Sequence, residues 1–391
     1  MHMSRPLLWN PALQALPMSG IRRMFNLAAK MEDVVHLSIG QPDFPTPEHI
    51  IEAHVTALRE GKTRYTMDAG LPDLLEQLAR YYGSRYQLRL SPDNFLETTG
   101  GGEAFFLAIS SVVTPASEVI VIEPSFVLFE PLARMFGAQV HRVVTRAENG
   151  YQVDPQAVID AIHEKTSAII LNSPGNPTGA VYPASTIRLI CQEAHRRGVP
   201  VISDEVYDRL VFDDEDYASV LRWTPDLNYV MVAGSFSKSY SMPGMRIGWL
   251  ASGKERMETL RRYHMYTTTV GNTPGQWAAV AALRSDQRCV TDMVRQYRER
   301  RDRVVELVAA TPHFTGYQPG GAFYIMPSLP PAVDGSELAL RMLQEIRVCT
   351  IPGNTFGESC RNALRLSYAT ATAQIEAAFE RMIPWLEKQS F

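Results

Sequence analysis

The sequence predicts an α/β protein: a mainly parallel sheet flanked by helices, joined to a smaller α+β domain. Three observations carry this. Short apolar, β-branched runs recur with helical stretches between them, the pattern of strands buried on both faces of a parallel sheet. The composition changes after about residue 285, where a long charged helix begins. At 391 residues the chain is also too long for one ordinary core, so two domains are expected.

In chain order, residues 1–20 hold Pro6, Pro11 and Pro17 and no long apolar run, so they do not read as a signal peptide. The proline-broken segment before about residue 45 is expected to pack against the C-terminal part. Thr98-Thr99-Gly100-Gly101-Gly102-Glu103-Ala104 opens a helix. Strands are expected at 118–122, 139–144, 167–171, 199–203, 229–233 and 247–251, each rich in valine, isoleucine or other apolar residues. A helix spans 184–197 and is closed by Gly198 as its C-terminal cap. A long helix is expected at 288–310, and the runs at 320–325 and 364–368 read as strands. The expected division is a large domain of residues 45–285 and a small one of 1–44 with 286–391.

The bulk numbers narrow the function. A net charge of −4 leaves no electrostatic footprint for nucleic acid or an anionic membrane. The densest basic stretch, 295–303, alternates with Glu299 and Asp302 and is flanked by apolar residues at helical spacing, so it reads as a solvated helix face. No uninterrupted apolar run reaches the length of about 18 residues that a membrane span needs. The four cysteines, Cys191, Cys289, Cys349 and Cys360, are scattered and show no metal-ligand spacing. Reduced thiols in a cytoplasmic protein are the expectation, with no metal.

The chemistry centres on Lys238, in Gly234-Ser235-Phe236-Ser237-Lys238, with Arg246 eight residues on. A nucleophilic lysine needs an amine that is neutral part of the time, so burial or cationic neighbours must lower its pKa. Hydroxyls and an arginine alongside point to a phosphate held next to that amine, hence to pyridoxal phosphate bound as a Schiff base. Asp204 directly follows the run 199–203. A buried aspartate there needs a partner, and a protonated pyridine nitrogen is a suitable one; capping of a helix start is the ordinary alternative. Tyr207 could place its hydroxyl near the ring oxygen. Asn176, in the turn cluster 172–179, could reach the same oxygen and the substrate. Asn176-Pro177, then Glu123-Pro124, are the candidates for cis bonds. Gly101 and Gly102 leave backbone N–H groups at a helix N-terminus, where a phosphate binds. Phe126 could stack on an aromatic ring. Arg365 sits within the apolar run Leu364-Arg365-Leu366 and wants a carboxylate, either that of an amino acid or that of a structural salt bridge.

Taken jointly, these residues resemble the class I/II aminotransferases of the type I pyridoxal-phosphate fold, aspartate aminotransferase-like. The match runs from Ser38-Ile39-Gly40-Gln41-Pro42-Asp43-Phe44 to Arg365-Leu366-Ser367-Tyr368-Ala369. The resemblance implies that Lys238 carries the cofactor, Asp204 pairs with the pyridinium, and Tyr207 and Asn176 contact the ring oxygen. It implies that Phe126 stacks on the ring, and that Gly101, Gly102, Ser235, Ser237 and Arg246 surround the phosphate. Arg365, Asn176 and the Gly40 backbone then hold the substrate carboxylate. Tyr65 looks like the tyrosine that reaches the phosphate of a partner subunit, so a homodimer with shared active sites is implied. The activity implied is transfer of an amino group between an L-amino acid and a 2-oxo acid in ping-pong half-reactions.

One departure concerns the substrate. Relatives that prefer dicarboxylates often carry a second arginine just before an Asn/Pro/Gly stretch, and residues 266–275 here hold none. Neutral or aromatic substrate side chains are therefore favoured, and Met18, Ile21 and Met24 are candidates for an apolar lid. Two other functions compete. The same scaffold supports β- or γ-elimination or cyclisation of an amino acid, because the cofactor does the bond-breaking. A DNA-bound ligand sensor is not expected, since the first 38 residues show no basic recognition helix.

Overall fold

The computed structural model describes residues 8–213 and 216–391, so Pro6 lies outside the described residues. In chain order the strands are β1 (Val35–His36), β2 (Phe95–Thr98), β3 (Glu118–Glu123), β4 (Gln139–Val144), β5 (Thr166–Asn172) and β6 (Val201–Asp204). They continue with β7 (Val230–Ser235), β8 (Gly248–Ala251), β9 (Tyr324–Ile325), β10 (Val348–Cys349), β11 (Ile351–Pro352) and β12 (Leu364–Ser367).

Seven of them form one sheet in the order β2-β8-β7-β6-β5-β3-β4. Its strands pair in parallel, except that β8 runs antiparallel to both β7 and β2. The central strands are buried almost throughout, because helices cover both faces. The expectation of two buried faces fails only at β4. That strand pairs with β3 alone, and its His141 and Arg142 face water, as suits a sheet edge that must not recruit another chain.

Helix Ala184–Arg196 ends as the sequence predicts, with the Gly198 N–H bonded to the His195 carbonyl. Helix Arg288–Ala310 has the expected bounds. It buries Val290, Met293, Tyr297, Val304 and Val308, a stripe at helical spacing, and also Arg300 and Arg301, which pair with Asp43 and Asp213, so the expected solvated face is corrected at those two residues. In the C-terminal part, β11-β12-β9 form an antiparallel sheet, and β1 pairs in parallel with β10. The N-terminal segment thus joins the C-terminal one: helix Gly20–Ala28 packs on β10 and β11.

The run 320–325 forms a strand only at its last two residues. The backbone before them bonds to loops instead: the Gly321 N–H to the Gly179 carbonyl and the Ala322 N–H to the Leu210 carbonyl. The lid expectation is also corrected. Helical geometry puts Ile21 and Phe25 on the cavity face and turns Met24 and Ala28 into the core, while Met18 stays exposed.

Candidate active site

Strand register assembles the site. Asn172 and Asp204, the last residues of β5 and β6, lie side by side, with Ala233 of β7 next to Asp204 and two residues short of the end of that strand. Ligands of open α/β sheets bind beyond such ends. Because β8 is antiparallel, its first residue, Gly248, pairs with both Thr98 at the end of β2 and Ser235 at the end of β7. That brings three chain segments together: the N-terminus of helix Gly101–Val112, the short helix Phe236–Ser239, and Arg246.

A cavity of about 770 Å³ opens there. It is lined by Gly40, Gly101, Gly102, Phe126, Asn176, Asp204, Tyr207, Ser235, Ser237, Lys238, Arg246 and Arg365. Every site residue named from the sequence is therefore in one place, with one exception. Tyr65 is 87% exposed and lies outside the cavity in this chain.

Lys238 Nζ donates to the Gly40 carbonyl at 2.7 Å. Burial pulls its pKa down to about 8, with Asp204 acting against the fall and Arg365 and Arg246 adding to it. Asp204 is pushed up to about 7 by burial, against the Val206 N–H and Lys238, which favour its ionised form. Its Oδ1 accepts that N–H at 3.2 Å, and a turn rather than a helix follows. The capping alternative thus accounts for one carboxylate oxygen at most.

Arg365 is buried and has no ion pair among the described residues. Its Nη1 donates to Asn176 Oδ1 at 3.1 Å and its Nη2 to the Ser38 carbonyl at 2.5 Å, while Nε is buried without a partner. The rings of Tyr324 and Phe356 lie 4.6 and 5.0 Å from its guanidinium carbon. A buried cation held this way and left without a counter-charge is a receptor for a small carboxylate. The structural salt bridge is absent among the described residues.

Asn176 is set by its own turn. Its N–H donates to Asn172 Oδ1 at 2.8 Å, and Asn176-Pro177 and Glu123-Pro124 are cis, as expected, together with Ser173-Pro174. On the other side of the cavity, Ser237 N–H donates to Ser235 Oγ at 3.1 Å, and that hydroxyl donates to Ser237 Oγ at 2.9 Å. Arg246 donates to the Thr99 and Pro243 carbonyls and has no carboxylate partner among the described residues. Gly100 has φ +75°, and a Cβ there would lie 2.5 Å from Arg246 Nη2, so only glycine lets that guanidinium approach the helix N-terminus. A Cβ on Gly102 would meet nothing within 4 Å. Hydroxyls, free N–H groups and an arginine around open space form a cradle suited to a phosphate.

Tyr324 is a site residue that the sequence does not mark. Its hydroxyl lies 3.0 Å from that of Tyr207, and its ring supports Arg365. It is the next-to-last residue of the run 320–325, and nothing local in that run signals a ligand.

The sequence model of the family described as Aminotransferase class I and II matches residues 32–382. The chain belongs to this family. Among the relatives of this aminotransferase, the probable aspartate aminotransferase of Methanocaldococcus jannaschii is 37% identical, over 92% of this chain and 95% of its own. The solved aspartate aminotransferase of Thermotoga maritima superposes with a TM-score of 0.91 at 33% identity, over 97% of this chain and 100% of that one. The alanine aminotransferase of Pyrococcus furiosus gives 0.92 at 28% identity, over 98% and 100%. The cofactor of this aminotransferase is therefore pyridoxal phosphate, and its reaction is the transfer of an amino group between an amino acid and a 2-oxo acid. Nothing in these relatives favours elimination or cyclisation. No helix among the described residues is long and apolar enough to cross a membrane.

Proposed function

We propose that Lys238 holds the pyridoxal phosphate as a Schiff base and moves the substrate proton. The observation that carries this is a buried lysine, lowered to about 8, in one cavity with a buried aspartate and an arginine that lacks a counter-charge. The donor set fits the cofactor. Gly101, Gly102, Ser235, Ser237 and Arg246 would hold its phosphate, Phe126 would lie on its ring, and Tyr207 and Asn176 would bond its ring oxygen. When bound, the cofactor supplies an aldehyde and a ring that accepts the electron pair left at the substrate Cα.

The chain's own residues do the rest. Arg365, aided by Asn176 and the Gly40 backbone, binds the α-carboxylate and fixes the orientation of Cα. Lys238 Nζ, once free and neutral, takes the Cα proton and later gives it back. Asp204, ionised, keeps the proton on the ring nitrogen. The amino acid and the 2-oxo acid use the site in turn, so one product leaves before the second substrate binds.

The division into residues 45–285 and 1–44 with 286–391 is supported by the main sheet, which lies wholly within the first part, and by the β1–β10 pair. A homodimer with shared sites and a cytoplasmic location complete the proposal; the four unpaired cysteines suit a reducing compartment.

The test is Lys238→Ala. The purified variant should lose the visible absorbance of the lysine-bound cofactor, and turnover should fall by about 10²-fold or more, as expected for a lost acid-base group. Normal turnover would refute the assignment.

A further inference from the structure

Four cations line the cavity, Arg22, Lys238, Arg246 and Arg365, against one carboxylate, Asp204. Amino transfer accounts for three of them. The phosphate answers Arg246, the α-carboxylate answers Arg365, and Lys238 is the reacting amine. Arg22 is left over. It makes no ion pair or side-chain hydrogen bond among the described residues.

Its side chain is exposed, and the helix that carries it sets its place. Helix Gly20–Ala28 is anchored by Met24 and Ala28, which are buried in the core. Three residues after Arg22, Phe25 also lines the cavity, and the guanidinium carbon lies 5.5 Å from its ring centroid. An i, i+3 pair of this kind keeps the charged head on the cavity side of the helix. Ile21 and Ile39 line the same cavity, with Ser19 and Gln41 as uncharged polar groups, so Arg22 is the one charged group that these two segments bring to it.

We propose that Arg22 is a specificity-determining residue that receives the side-chain carboxylate of a dicarboxylic amino acid or 2-oxo acid. This rests on the amino-transfer reading above. Residues 266–275, the place of a second arginine in relatives that prefer dicarboxylates, hold none. Arg22 supplies the same charge by another route, from the N-terminal helix of the chain itself. Its planar fork suits a carboxylate, and the far end of a four- or five-carbon diacid is the part of the substrate left unmatched once Arg365 holds the α-carboxylate.

The test uses the cofactor-loaded enzyme with Arg22→Gln and Arg22→Lys. Binding of maleate, an unreactive dicarboxylate, is compared with that of propionate, a monocarboxylate, by calorimetry. In Arg22→Gln the preference for maleate should fall about tenfold or more, the size expected for lost bonds to a charged partner. The kcat/KM ratio of aspartate over alanine should fall with it, through KM rather than kcat, and Arg22→Lys should restore part of both. An unchanged preference, or equal weakening of both acids, would overturn the assignment of Arg22 while amino transfer stands. An unaltered enzyme that transferred no amino group to any 2-oxo acid would overturn both.

Discussion

At the scale of single residues, the site works by placing charge where water cannot reach it. Lys238 sits among groups that make its protonated form costly, so its pKa falls from 10.5 to about 8. A free lysine is mostly neutral only above about pH 10.4, whereas this amine is mostly neutral above about 8. Uptake of pyridoxal phosphate by the cofactor-free protein requires the neutral amine. Its rate, followed by absorbance, should rise as pH passes about 8 and then level off. A rise that continued to pH 10 and beyond would show that burial does not set this amine. Asp204 is the group that raises the Lys238 value, so Asp204→Asn should move the midpoint to lower pH. These two residues are legible in the sequence because each stands just after an apolar run, where a charged side chain needs a reason. Arg365 is legible for the same reason, inside such a run. Tyr324 is not. Its role comes from contacts with Tyr207 and Arg365, and an aromatic residue after glycines reads equally well as core. Arg22 is equally silent, because nothing in its own helix says which face meets the cavity.

At the scale of elements, the phosphate cradle depends on one register. Gly248 opens β8 and faces Thr98 on one side and Ser235 on the other. A Cβ on it would lie 2.6 Å from the Gly100 carbonyl carbon and 2.8 Å from the Gly101 nitrogen. Neither backbone can move without moving the helix N-terminus that faces the phosphate. Gly248→Ala should therefore cost about 1–3 kcal/mol of stability in urea unfolding, as overpacking does. It should also weaken cofactor binding measured by equilibrium dialysis. Unchanged values of both would mean that the cradle tolerates a different register. The strands themselves are well signalled, since 118–122, 139–144 and 167–171 each lie within or match β3, β4 and β5. Their pairing is not signalled. Strand β2 and the antiparallel turn of β8 carry no period of their own, and hydrogen-bond partners far apart in the chain leave no local trace.

At the scale of the whole molecule, the exposed side chains suggest a surface built to be covered. Tyr65 and Met67 are 87% and 63% exposed, and Met265 and Tyr266 are 50% and 89% exposed. The two segments are tied together, since Thr273 Oγ1 donates to the Arg64 carbonyl at 2.8 Å. Large apolar side chains left open in this way mark contact surfaces. Tyr65 is also the one expected site residue that its own chain does not bring to the cavity, and in the proposed homodimer it would reach the phosphate held by the second copy. Tyr65→Phe keeps the ring for the contact and removes only the hydroxyl. Light scattering should still report a dimer, while equilibrium dialysis should show pyridoxal phosphate bound about tenfold or more weakly, the size of a lost bond to a charged group. Cofactor affinity equal to that of the unaltered protein would exclude Tyr65 from the phosphate. A monomeric unaltered protein that still held the cofactor tightly would remove the shared site altogether, because a single chain leaves that hydroxyl in water.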